Sequence, residues 1–125
     1  MLNLALVATG GAIGSVLRYL VGVWSVRIAG TTFPWGTLVV NVVGSFLIGF
    51  LFEFIARRMN ASMEMRLFIV TGVLGGFTTF SSFSLDAAAL FERGAFSLSA
   101  VYVIATLVVS MVAVFAGLAL GRSLL

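Results

Sequence analysis

The sequence predicts an all-α membrane protein: a single four-helix transmembrane domain over residues 1–125, with its third helix broken at mid-membrane. Three observations carry this. The chain is 62% hydrophobic and only 9% charged, too few charges to cover a water-exposed surface, and its mean hydropathy is +1.24, so the bilayer is the expected solvent. Four apolar stretches each approach the roughly 20 residues that a helix needs to cross a hydrocarbon core of about 30 Å. The third stretch contains "GVLGGFTTFSSFS" (72–84), where a glycine pair is followed by five hydroxyl side chains threaded between phenylalanines.

The first span, roughly 4–26, lacks the basic flank of a signal peptide and is expected to be retained. Trp24 marks its far end at the water boundary. The second span, roughly 37–56, follows the only proline, Pro34, which suits the entry to a helix; Trp35 beside it is an interfacial anchor at the same boundary. The third runs roughly 67–90 and the fourth roughly 98–121. Between them lie the connectors "RIAGTTFPWG", "RRMNASMEMR" and "FERGAFS". Gly10 and Gly14, Gly72 and Gly76, and Gly117 and Gly121 are each four apart, the spacing that lets helix backbones approach closely.

Charge and composition exclude several classes of function. With no cysteine and no histidine, the chain has no disulfide, no thiol or imidazole metal ligand, and no Ser/His or Cys/His nucleophile pair. No paired carboxylates occur at catalytic spacing, so the chain is not expected to be an enzyme. The formal charge of +3 comes from arginine alone and fits headgroup contact better than nucleic-acid binding. An even helix count puts both termini and the middle loop on one side, with Arg57, Arg58, Arg66 and Arg122; Arg27 and Arg93 lie on the other, and Arg18 sits toward the outer end of the first helix. So small a bias leans toward cytoplasmic termini and is compatible with insertion in both orientations. That would permit an antiparallel homodimer with a two-fold axis in the membrane plane.

Polar side chains at membrane depth are costly unless satisfied. Thr37, Asn41 and Ser45 form one stripe on the second helix, and Tyr102, Thr106 and Ser110 form another on the fourth. Interhelical hydrogen bonding explains isolated hydroxyls well. It explains Asn41 less well, because an amide must place two donors and an oxygen; pore lining and helix pairing both stay open for it. Arg18 either snorkels to the interface or faces a water-filled vestibule. Asp86 is the one acid well inside a span. In the third span Gly75 and Gly76 interrupt the helix, and the hydroxyls that follow meet backbone groups released by the break. Such backbone survives at membrane depth only inside protein or along an aqueous cavity, where freed carbonyls can bind a cation and freed amides can face an anion. Phe80 and Phe83, three apart, read as a packing pair; their ring edges, with nearby hydroxyls, could also hold a desolvated anion.

These residues resemble one family. "GVLGGFTTFSSFS" resembles the G-x-x-G-G-x-[ST]-T-F-S-[ST]-[FW] signature of the Fluc (CrcB) fluoride channels. "PWGTLVVNVVGSFLIGF" resembles that family's G-T-L-x-x-N second helix, and "GGAIGSVLRY" its G-x-x-G-x-x-x-R-[YW] first helix. Tyr102, Thr106 and Ser110 match the fourth helix. The resemblance implies a dual-topology homodimer in the bacterial inner membrane, with two antiparallel pores exporting fluoride passively from the cytoplasm. It also implies roles: Phe80 and Phe83 as the phenylalanine box; Asn41 as the pore-facing asparagine; Thr37, Thr79, Ser82, Tyr102, Thr106 and Ser110 as the polar track; Arg18 in the vestibule. The backbone carbonyls of Gly75 and Thr78, from both subunits, would hold a central Na⁺. Asp86 stands where the family pattern has Glu, and Ser82 where it often has Thr. A rival reading is a small dual-topology proton-coupled multidrug exporter. It needs an embedded acid, usually in the first helix, and this first helix has none.

Overall fold

The protein is described by a computed structural model covering residues 1–57 and 62–124. Arg58, counted above in the charge bias, lies outside the described residues. Every regular element is helical: α1 (Leu2–Ala29), α2 (Trp35–Arg57), α3 (Met63–Arg66), a π-helical segment (Leu67–Leu74), α4 (Gly75–Phe77), α5 (Ser81–Glu92) and α6 (Phe96–Ser123). Among the described residues four helical runs are long and apolar enough to cross a membrane: α1, α2, α6 and the composite run Met63–Glu92. They fit a multi-pass membrane protein.

Local chemistry sets the ends. Gly30 leaves α1 at φ 77, a left-handed conformation that suits glycine, while its N–H still reaches the Val26 carbonyl at 2.9 Å. Pro34 precedes α2, where its missing N–H costs no helical bond. The side chain of Ser62 accepts from the Met65 N–H at 3.2 Å and starts α3. Gly94, at φ 84, ends α5, and the Ala95 N–H turns back to the Leu90 carbonyl at 2.9 Å.

Two seams hold the helices together, α2 against α6 and α1 against the first half of the third span. Glycine builds both. A Cβ on Gly10, Gly14, Gly72 or Gly76 would collide with backbone of the facing helix, and the same holds for Gly49 and Gly117 in the α2–α6 seam. Gly121 sits against the Glu53 side chain. This closeness lets Arg122 of α6 reach Glu53 of α2 at 2.8 Å, while Arg57 contacts the other carboxylate oxygen at 2.9 Å. Glu53, 6% exposed, is thus neutralised at the end of the seam.

The third span is broken, but not where the glycines stand. Gly75 and Gly76 are helical, and Gly76 is used for contact with Gly11 of α1. The chain leaves the helix one turn later: Thr78 is extended, at φ −87 and ψ 160, and α5 begins at Ser81. Gly76 serves close packing instead, because a side chain there would push α1 away, while Gly75 faces the cavity.

Candidate functional site

The break frees backbone groups, and three side chains bond backbone at it and on either side of it. Asn41 of α2 does most. Its Nδ2 donates to the Thr79 carbonyl at 2.9 Å, and its Oδ1 accepts from the Thr79 N–H, also at 2.9 Å. One amide thereby replaces both bonds that the helix would have given this residue. The Thr79 hydroxyl accepts from the Ser82 N–H at 3.1 Å, the usual geometry of a helix N-cap. Thr78 Oγ1 donates back to the Leu74 carbonyl at 2.9 Å. Interhelical pairing therefore accounts for Asn41 more fully than its residue type suggests, yet one N–H of its amide is left over.

Beside the break lies a cavity of about 330 Å³. It gathers Asn41 and Ser45 from α2, Gly75, Thr78, Thr79, Phe80 and Phe83 from the third span, and Thr106 and Ser110 from α6. The remaining wall is mostly aliphatic. Oγ1 of Thr106 and Oγ of Ser110 are buried and make no hydrogen bond among the described residues. A helical Ser or Thr commonly donates to its own backbone one turn back; these two keep their donors. Phe83 is 6% exposed, whereas Phe80, its ring centroid 5.6 Å away, is 74% exposed although it lies within a span.

A second polar group stands one turn further along α5. Thr37 Oγ1 donates to Asp86 Oδ2 at 2.7 Å, and the Tyr102 hydroxyl donates to the same oxygen at 3.3 Å. Tyr102 is fully buried, and its ring lies 5.3 Å from that of Phe83. Asp86, Thr37 and Tyr102 thus form one cluster, joined to the cavity through Phe83. Ser82 contributes its backbone N–H to the break. Arg18 lies on neither group; its Nε is buried with no partner among the described residues.

Several residues of the site carry no periodic signal. Gly44 lines the cavity because a Cβ there would strike the Thr78 side chain. Ser99 donates to the Ala87 carbonyl at 2.8 Å and ties α6 to α5. Phe33, in the α1–α2 connector, packs against Tyr102 with the two rings perpendicular. None of the three belongs to the polar stripes or to the four-apart glycine pairs of the sequence.

A cavity walled by α2, α6 and the third span, with a few polar groups set in an aliphatic wall where that span opens its backbone, lies in a bundle of four apolar helices, as in small multi-pass membrane proteins that pass ions or small polar solutes. The chain belongs to the CrcB-like family, described as CrcB-like protein, Camphor Resistance (CrcB), whose model matches residues 5–118. A protein of Agrobacterium fabrum named fluoride-specific ion channel FluC is 78% identical over 99% of both chains. Bearers of the same name from Rhizobium meliloti and Chelativorans sp. are 62% and 54% identical, over 99% and 100% of both chains.

Proposed function

We propose that this protein is a fluoride-selective ion channel and not an enzyme, giving passive export of fluoride from the cytoplasm across the bacterial inner membrane. Near full-length similarity to proteins named for that activity supports the ion. The observation that carries the pathway is the pair of unpartnered buried hydroxyls, Thr106 and Ser110, facing the broken span across one cavity. Fluoride is small and strongly hydrated, so a pore must replace its water with several weak donors. The two hydroxyls, the spare N–H of Asn41 and the ring edges of Phe80 and Phe83 are such a set. None carries a formal charge that would trap the ion. Thr37, Thr79, Ser82 and Tyr102 extend the track, and Arg18 raises the anion concentration at its vestibule.

The working unit is an antiparallel dual-topology homodimer with two pores at its interface, surrounded by membrane lipid. Phe80 supports this, because an aromatic ring on the cavity wall is left uncovered by its own chain. The near-balanced arginines favour insertion both ways. A Na⁺ at the centre would be held by the carbonyls of Gly75 and Thr78 of both copies. These residues fit: the amides that would close helical bonds onto them, those of Thr79 and Ser82, donate instead to Asn41 and to the Thr79 hydroxyl. Hard carbonyl oxygens suit such an ion, whose charge would offset the self-energy of a nearby anion. The exporter alternative gains nothing from the geometry, because Asp86 is already engaged by Thr37 and Tyr102.

Purified protein in liposomes loaded with fluoride or chloride tests the reading with an ion-selective electrode. Fluoride should leave and chloride should stay, with no proton gradient applied. Equal efflux of both ions overturns selectivity.

A further inference from the structure

The aromatic rings of the site do not stop at Phe83. From Phe80 they pass through Phe83 and Tyr102 to Phe33 and Trp35, with successive centroids 5.6, 5.3, 5.4 and 4.6 Å apart. The last two lie outside the polar stripes, Phe33 in the α1–α2 connector and Trp35 at the start of α2. Phe33 meets Tyr102 at an interplanar angle of 89°, edge to face. A second connector holds the first: Arg93, at the end of α5, donates from Nη2 to the Thr32 carbonyl at 2.6 Å. This charge-assisted bond fixes the residue beside Phe33.

We propose that Phe33 and Arg93 are positioning residues for the anion path: Arg93 clasps the α1–α2 connector, and the clasp seats Phe33 as the brace behind Tyr102 and Phe83. The inference rests on the channel reading. Tyr102 is buried between Phe83 and Phe33, and its hydroxyl reaches Asp86. Its ring angle therefore depends on both aromatic neighbours. An aliphatic side chain in place of Phe33 fills similar space but offers no aromatic ring to pair with Tyr102. Tyr102 then gains freedom to turn, and Phe83, on the cavity wall, loses its backing.

Packing alone would tolerate leucine; bracing requires an aromatic ring. In full-length protein reconstituted in liposomes, Phe33→Leu should slow fluoride efflux about two- to tenfold, the rate equivalent of one lost aromatic pair, and Phe33→Tyr should restore it. Arg93→Gln should slow efflux similarly. The double variant should be no slower than the slower single one, because both act through the same ring. Wild-type rates in Phe33→Leu, equal rates in Phe33→Leu and Phe33→Tyr, or multiplying effects in the double variant overturn the proposal. Trp35 emission gives a second readout, taken in a Trp24→Phe background so that it works without flux. Arg93→Gln should shift it to the red as the connector loosens, and an unmoved spectrum overturns the clasp. A wild-type protein that passes no fluoride defeats the channel reading instead.

Discussion

The two halves of the third span solve the same problem in opposite ways. Residues 67–77 meet α1 backbone to backbone, with glycines on both sides of the seam and the chain still helical. Residues 78–92 open the backbone for three residues and then rely on side chains: Asn41 and Thr79 at the break, Thr37 and Tyr102 on Asp86, Ser99 on the Ala87 carbonyl. Removing side chains gives close contact and a dry seam. Adding polar ones lets irregular backbone survive beside a cavity. The first half is sensitive to atoms added, the second to atoms removed.

The largest effect should come from the splint of the second half. Asn41→Ala removes both partners of Thr79, and an orphaned buried donor or acceptor costs about 1–3 kcal/mol. Thermal unfolding in detergent should show a strongly destabilised protein, and fluoride efflux should fall to background. Asn41→Asp keeps an acceptor for the Thr79 N–H but sets a carboxylate against its carbonyl. It should also impair conduction, by repelling the anion. Wild-type stability in Asn41→Ala would mean that the break holds itself open without α2.

The first half is tested by addition. A Cβ on Gly14 would meet the Val73 carbonyl and lie 2.8 Å from the Phe77 nitrogen. Backbone cannot rotate away as a side chain can, so Gly14→Ala should cost about 1–3 kcal/mol through overpacking. Gly22, on the same helix, has open space where its Cβ would stand. Gly22→Ala should be neutral or gain up to about 1 kcal/mol of helix propensity. Equal melting temperatures for the two variants would show that the seam is looser than its glycines imply.

How much of this was legible before the structure follows from the same contrast. Hydropathy is a local sum, so the four spans could be read directly, as could the glycine spacing of the seams. That the third span breaks was also readable, since hydroxyls crowd one short stretch. The place of the break was not. Gly75 and Gly76 look like the interruption because glycine weakens helices, yet both are helical, and Gly76 is packed against Gly11 of α1. Propensity yields here to packing. The Asn41–Thr79 pair spans 38 residues and the Glu53–Arg122 pair 69. No periodicity encodes such partners. Phe33 sits in a connector, where an aromatic residue reads as an interfacial anchor until Tyr102 is seen beneath it.

A finer test divides the two rings at the boundary. Phe83 is buried and touches both Phe80 and Tyr102, whereas Phe80 is largely uncovered. Phe83→Ile should slow efflux and lower stability by about 1 kcal/mol, the scale of a lost aromatic pair. Phe80→Ile should slow efflux with the proposed dimer intact and little change in the subunit's own melting. Unchanged flux in both variants removes the ring-edge argument.

The smallest effect is expected where the polar cluster tolerates an isosteric change. Both hydroxyls at Asp86 bond the same oxygen, Oδ2. In Asp86→Asn an amide oxygen at that position still accepts from Thr37 and Tyr102, so folding and fluoride efflux should stay close to wild type. Asp86→Ala leaves both hydroxyls without their acceptor and should lower stability by about 1 kcal/mol or more. Efflux with and without a proton gradient separates this from proton exchange. A proton-dependent cation flux that vanishes in Asp86→Asn would make the carboxylate a carrier of charge. Gradient-independent fluoride efflux in wild type and Asp86→Asn alike leaves it as the acceptor that orients Thr37 and Tyr102.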